Sequence, residues 1–169
     1  MTDAGRGAHV GYTWASAREL FEAAREASRD AERIRRQLDA MEQRAYSLGG
    51  GMGQRVSATG EPDRMGGRVA ALVDMEATLR ERQDADYALL DLACAVLYGT
   101  GSHDGLWSLV GWRADAIAHH YLNGMTWAQV AELMGYSQRY LWDQVQMAMD
   151  VCDGYGIAGT IAGRGDAES

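Results

Sequence analysis

The apolar residues between Ala17 and Leu48 constrain this chain most. Ala17, Leu20, Ala24, Ala27, Ala31, Ile34, Leu38, Met41, Ala45 and Leu48 recur at alternating steps of three and four, a pattern sustained for more than four heptads. That spacing holds one apolar seam on one side of an α-helix and cannot line one face of a strand, where the period is two. It predicts a coiled-coil helix of about 50 Å at 1.5 Å per residue. Alanines fill its first half, so a neighbouring helix can approach closely there. The larger side chains of the second half demand more room.

The sequence also supplies a partner for the seam. Leu48-Gly-Gly-Gly-Met-Gly ends the first helix, and residues 49–61 carry too little apolar surface to order themselves, so they read as a flexible loop. A second helix is expected from Pro62 or Gly67 to about Tyr98. Val69, Leu72, Leu79, Leu90 and Leu97 fall on one side of it, with Val73, Tyr87 and Cys94 beside them, while Glu76, Gln83 and Asp86 interrupt the seam. Two long helices joined by one loop fold back most simply as an antiparallel hairpin, here residues 13–98. Residues 1–12 are small, polar and glycine-containing, and disorder is expected there.

Gly99 to Gly105 is a break. Leu106, Leu109, Val110, Ile117 and Tyr121 then continue at helical spacing until Asn123-Gly124 stops the helix. Met125–Met149, MTWAQVAELMGYSQRYLWDQVQMAM, follows with two helix starts written into it. Thr126 stands three residues before Gln129, a capping box that places the first helical residue at Trp127. Met125 and Val130 occupy the staple positions, and the arrangement recurs around Ser137 as cap, with Tyr136 and Leu141 flanking it. Between the two helices Gly135 sits where a helix ends by turning left-handed. Ala131, Gly135 and Leu141 supply the small contact residue, turn glycine and apolar anchor of a helix-turn-helix. An ordinary helical hairpin within a small all-α domain shares several of these features. Residues 103–153 therefore read as a small helical domain. The glycine-rich 154–169 reads as a disordered tail, whose Arg164-Gly165-Asp166 is a chance match to a cell-adhesion tripeptide.

Composition agrees with an all-α chain: a single proline in 169 residues and no run of β-branched residues. No apolar stretch approaches a membrane span, and the N-terminus lacks the apolar centre of a signal peptide, so a soluble, intracellular protein is expected. Cys94 and Cys152 stand apart from any C-x-x-C pattern and are expected as buried, reduced thiols. No catalytic set, metal site or cofactor is expected. Gly49 to Gly53 lacks the Gly-Lys-Ser/Thr ending that cradles phosphate. His119 and His120 are adjacent and point to different sides of a helix. The carboxylates pair with arginines on solvated faces, Glu32 with Arg36 for example.

Recognition is the better prospect. In the second helix of the motif, Leu141, Val145 and Met149 should face the core, leaving Gln138, Arg139, Trp142, Asp143 and Gln146 outward behind the cap Ser137. These six, Ser137 included, form the expected DNA-binding set. Arg139 is suited to guanine and Gln138 to adenine, while Asp143 suits cytosine or an arginine that it orients. Trp142 suits a protein contact or packing against the hairpin. Charge works against duplex binding, because Gly101 to Asp153 holds two basic and six acidic residues, a formal minus four. Arg18, Arg25, Arg29, Arg33 and Arg36 lie near one another outside the seam, yet seven acidic residues balance the arginines of that helix. A salt-bridged solvent face accounts for them better than a phosphate track.

Met125–Met149 resembles region four of bacterial sigma factors and the related response-regulator helix-turn-helix, with TWAQVAELMGYS and the following amphipathic helix as the shared core. The longer plan is similar to small phage and prophage proteins that join a two-helix coiled coil to such a domain, through RVAALVDMEATL (Arg68–Leu79) and His119–Met149. Those proteins neighbour the ArpU and RinA type late regulators. The resemblance implies transcriptional regulation in the cytoplasm of a bacterial host through duplex DNA, RNA polymerase or both. The hairpin is expected to supply either oligomerisation, as a homodimer through the coiled coil, or a partner surface. Gln144 departs from the apolar residue common at its position, and the second helix has one basic residue where sigma factors show several.

Overall fold

The structure, a computed structural model, describes residues 14–49, 62–101 and 104–164. Its elements are α1 (Ala17–Gly49), α2 (Pro62–Tyr98), α3 (Gly105–Val110), α4 (Trp112–Ile117), a π-helical turn (Ala118–Leu122), α5 (Trp127–Met134) and α6 (Gln138–Ala162). The chain is all-α among the described residues, a long antiparallel hairpin followed by a small set of helices, and no helix is long and apolar enough to cross a membrane. The N-terminus expected as disordered, 1–12, and the expected loop, 49–61, lie outside the described residues, apart from Gly49, which closes α1.

Helix α1 starts on Ser16, whose hydroxyl accepts from the Glu19 N–H at 3.2 Å, while the Glu19 carboxylate accepts from the Ala15 N–H at 2.7 Å. Asp153 of α6 adds a carboxylate to the same helix start, accepting from the Ala17 N–H at 2.6 Å. Negative charge there opposes the positive end of the helix dipole. The seam is buried from Ala17 through Leu20, Ala24, Ala27, Ala31 and Ile34; it is half-buried at Leu38 and Met41 and exposed at Ala45. Helix α2 opens at Pro62, a first helical position that needs no N–H. It runs back along α1 with Arg82 bonded to Asp30 at 2.7 Å and Leu79 buried.

The expected division between a hairpin and a separate domain is corrected by the core. Ala17, Leu20, Phe21 and Ala24 of α1 and Ala93, Val96 and Leu97 of α2 share one buried cluster with Leu106, Ile117, Tyr121, Val130, Leu141, Val145 and Met149. The base of the hairpin is part of the floor on which the C-terminal helices stand.

Three further expectations change. The single helix drawn from Leu106 to Tyr121 breaks at Gly111 (φ 63°, ψ −137°) into α3 and α4. The tail expected to be disordered from residue 154 is helical to Ala162, because Gly156 (φ 73°, ψ 167°) reverses the chain inside α6. A straight helix would separate Cys152 and Thr160 by about 12 Å, yet the Thr160 hydroxyl donates to the Cys152 carbonyl at 3.3 Å. The reversal brings Ile157 and Ile161 onto the core, and the Arg164 N–H donates to the Ser108 hydroxyl at 3.2 Å. Finally, Cys152 is buried as expected but Cys94 is exposed; both are free thiols.

Candidate functional site

Both helix starts in Met125–Met149 form as their sequence dictates. The Gln129 N–H donates to the Thr126 hydroxyl at 3.2 Å, and the Thr126 N–H donates to the Gln129 side-chain oxygen at 2.8 Å, which completes the capping box. Gly135 takes the left-handed conformation (φ 75°, ψ 27°), and its N–H reaches back to the carbonyls of Ala131 and Glu132. Ser137 then caps α6 by accepting from the Tyr140 N–H at 3.2 Å. Leu141, Val145 and Met149 face the core, and Val130 and Ala131 are buried beneath them.

That corner presents a defined surface. Gln138, Arg139 and Asp143 are exposed, and Trp142 keeps 39% of its surface open. An open cleft of about 410 Å³ is lined by Trp127, Gln138, Arg139 and Trp142. Among the described residues Arg139 has no hydrogen-bond or ion-pair partner. The Ser137 hydroxyl is spent on the cap. Gln146 corrects the expected set, since it is half-buried rather than outward: the Arg18 guanidinium of α1 donates to its side-chain oxygen. Five of the six expected residues are thus on the open surface, and the sixth binds the hairpin.

Helix α1 anchors the corner through two arginines. Arg18 lies over the Trp142 ring at 5.5 Å as well as holding Gln146. Arg25 donates to the ring Nε2 of His120 and, at 3.1 Å, to its carbonyl. With Nε2 accepting, His120 Nδ1 carries the proton and donates to the Met125 carbonyl at 2.7 Å. The His120 ring stacks on Trp127 at 3.8 Å and 14°, and Trp127 meets Trp142 edge-on at 5.5 Å. Burial first, then the Arg25 charge, pull His120 down to about 4, so the ring is neutral near pH 7. Arg29, Arg33 and Arg36 pair with Glu26, Asp30 and Glu32 on the solvent face of α1, Glu32–Arg36 at 3.3 Å. They form no free basic track.

His120, Trp127, Arg18 and Arg25 were not singled out from sequence as parts of this site. The signal available was the density of aromatic rings between His119 and Trp142; the arginines are 95 and 128 positions from their partners. Gln144, which departs from the apolar pattern, accepts from Arg113 Nε at 2.7 Å, so its polarity is satisfied locally. No group of three or more His, Cys, Asp or Glu among the described residues is arranged to hold a metal ion. No family model, curated protein or solved structure matches the chain.

Proposed function

We propose that this chain is a phage or prophage-encoded, sequence-specific DNA-binding regulator of transcription that uses α5 and α6 as a helix-turn-helix. The observation that carries the reading is the pair Gln138 and Arg139, open in the first turn of a Ser137-capped helix beyond a left-handed corner. Side chains in the first turns of a recognition helix reach base edges when that helix enters a major groove. Arg139 is free to take guanine and Gln138 to take adenine, with Asp143 one turn further on. Trp142 and Trp127 offer apolar contact beside them, suited to a thymine methyl. The test is selection from random duplexes with the full-length protein at low salt, followed by Arg139→Ala on the enriched site. One bidentate contact accounts for about 1–3 kcal/mol, so a loss of roughly 5- to 150-fold is expected, confined to the preferred sequence. Failure to enrich any duplex refutes the reading.

A second reading rests on charge. Gly101 to Asp153 carries two arginines against six carboxylates, and one of the arginines, Arg113, is engaged with Gln144 and the Val110 carbonyl. Leu133, Tyr136 and Tyr140 are exposed beside the corner. These features suit a module that grips RNA polymerase or a phage protein without contacting DNA. Capture of purified polymerase by a protein that enriches no duplex would favour it.

A further inference from the structure

We propose that two copies of this chain pair through the outer ends of their hairpins. The sequence Val69-Ala70-Ala71-Leu72-Val73 sets five apolar residues in a row, which covers every side of α2. Val69 and Leu72 continue the side of α2 that carries Leu79, and Ala70, Ala71 and Val73 widen it beyond what α1 alone covers. Leu79 is 6% exposed, whereas Val69, Leu72 and Val73, two to three turns closer to the tip, keep 54 to 61% of their surface open. Met75 on the same helix and Tyr46 on α1 are also exposed, and Leu38 and Met41 are half-buried between the two helices.

Area and charge both point to a second copy as the occupant. A stable pairing covers about 800 Å² per partner, of which about 65% is apolar between identical chains. Five large, half-exposed apolar side chains at on the order of 100 Å² apiece meet that requirement, before the exposed Ala70, Ala71 and Ala77 are added. The whole chain has a formal charge of −8, so two copies repel each other over most of their surface. The tip escapes this: residues 35–47 and 68–81 hold Arg35, Arg36, Arg44, Arg68 and Arg80 against Asp39, Glu42, Asp74, Glu76 and Glu81, a balance of zero. Two tips laid side by side make a four-helix layer with an apolar centre and a rim of mixed charge. The alanine half of α1 is excluded as the contact, because Ala17, Ala24, Ala27 and Ala31 are already buried within one chain.

Sedimentation equilibrium of the full-length protein without DNA tests this separately from the DNA reading. The expected mass is twice 18.4 kDa, falling two-fold to the monomer for Leu72→Glu with unchanged far-UV ellipticity. Should Leu72→Glu lose helix, Val69→Arg, at a more exposed position, takes its place. A wild-type chain that stays at 18.4 kDa to high micromolar concentration overturns the proposal. A dimer whose mass ignores both substitutions overturns it equally.

Discussion

Phe21 lies on α1, fully buried, with its ring 5.9 Å from that of Tyr121 and inside the cluster that also holds Leu141 and Val145. Phe21→Ala removes a ring from the point where hairpin and corner share a core. Lost burial accounts for about 2–3 kcal/mol, and the cavity left among residues fixed by three other elements adds about 1–2 kcal/mol, for a total of about 4 kcal/mol. In a chain of this length each kcal/mol lowers Tm by about 2–4 °C, so a fall of about 8–16 °C is expected. Thermal melts followed by far-UV ellipticity and by tryptophan fluorescence should shift together, because the hairpin holds most of the helix while four of the five tryptophans, Trp107, Trp112, Trp127 and Trp142, lie in the C-terminal helices. Arg44→Ala, exposed on the outer part of α1, should move neither by more than about 0.5 kcal/mol. A fluorescence transition that stays put while the ellipticity transition falls would mean two independent cores, and the argument for a shared floor would be wrong.

Two predictions concern titration. His120 is held to about 4 against an ordinary 6.5, first by burial and then by Arg25. A depressed histidine binds protons more readily in the unfolded chain, so its contribution is complete above pH 6.5 and is lost as pH falls toward 4. Urea midpoints measured at both ends of that window should differ more for the wild type than for His120→Gln, and equal differences would show that the ring is not held neutral. Asp86 faces α1 with an Oδ2 that has no hydrogen-bond partner among the described residues, and burial followed by the Asp30 charge raises its pKa. Asp30 itself is held low by its hydrogen bond from Arg33, with Arg82 adding to the effect. A raised carboxylate favours folding below its unfolded pKa and opposes it once pH rises through the folded one. Asp86→Asn should therefore stabilise the hairpin near pH 7 by about 1 kcal/mol, read as a higher urea midpoint. A lower midpoint would show that the charge contributes to the seam.

The parts legible in sequence are those fixed by neighbours within a turn or two. Thr126 with Gln129, Ser137 with Tyr140 and Gly135 all act through backbone groups three or four residues away, and each formed as its spacing required. The heptad seam was legible as far as Ile34, where α2 lies against it. Periodicity says which face of a helix is apolar, and it is silent about what docks there. Gln146 looked outward by its spacing, and only the return of α1, 128 residues earlier in the chain, covers it. The tail looked unstructured because a glycine-rich run offers little propensity. One reversal at Gly156 lets Ile157, Thr160 and Ile161 use a core built by other segments. The boundary near residue 100 was drawn where the composition changes, whereas the apolar cluster is shared by residues on both sides of it.

Helix α1 has neither glycine nor proline between Ala17 and Leu48, so the rod that holds Arg25 against His120 is the same rod that reaches the hairpin's outer end. From Arg25 to Ala45 it spans about 30 Å at 1.5 Å per residue. It behaves as a strut: a torque applied at the far end arrives at the Trp127–His120 stack with no joint along the way to absorb it. Its reach is fixed by residue count, and descendants of this chain can lengthen it only in increments of about seven residues, near 10 Å, if the seam is to keep facing α2.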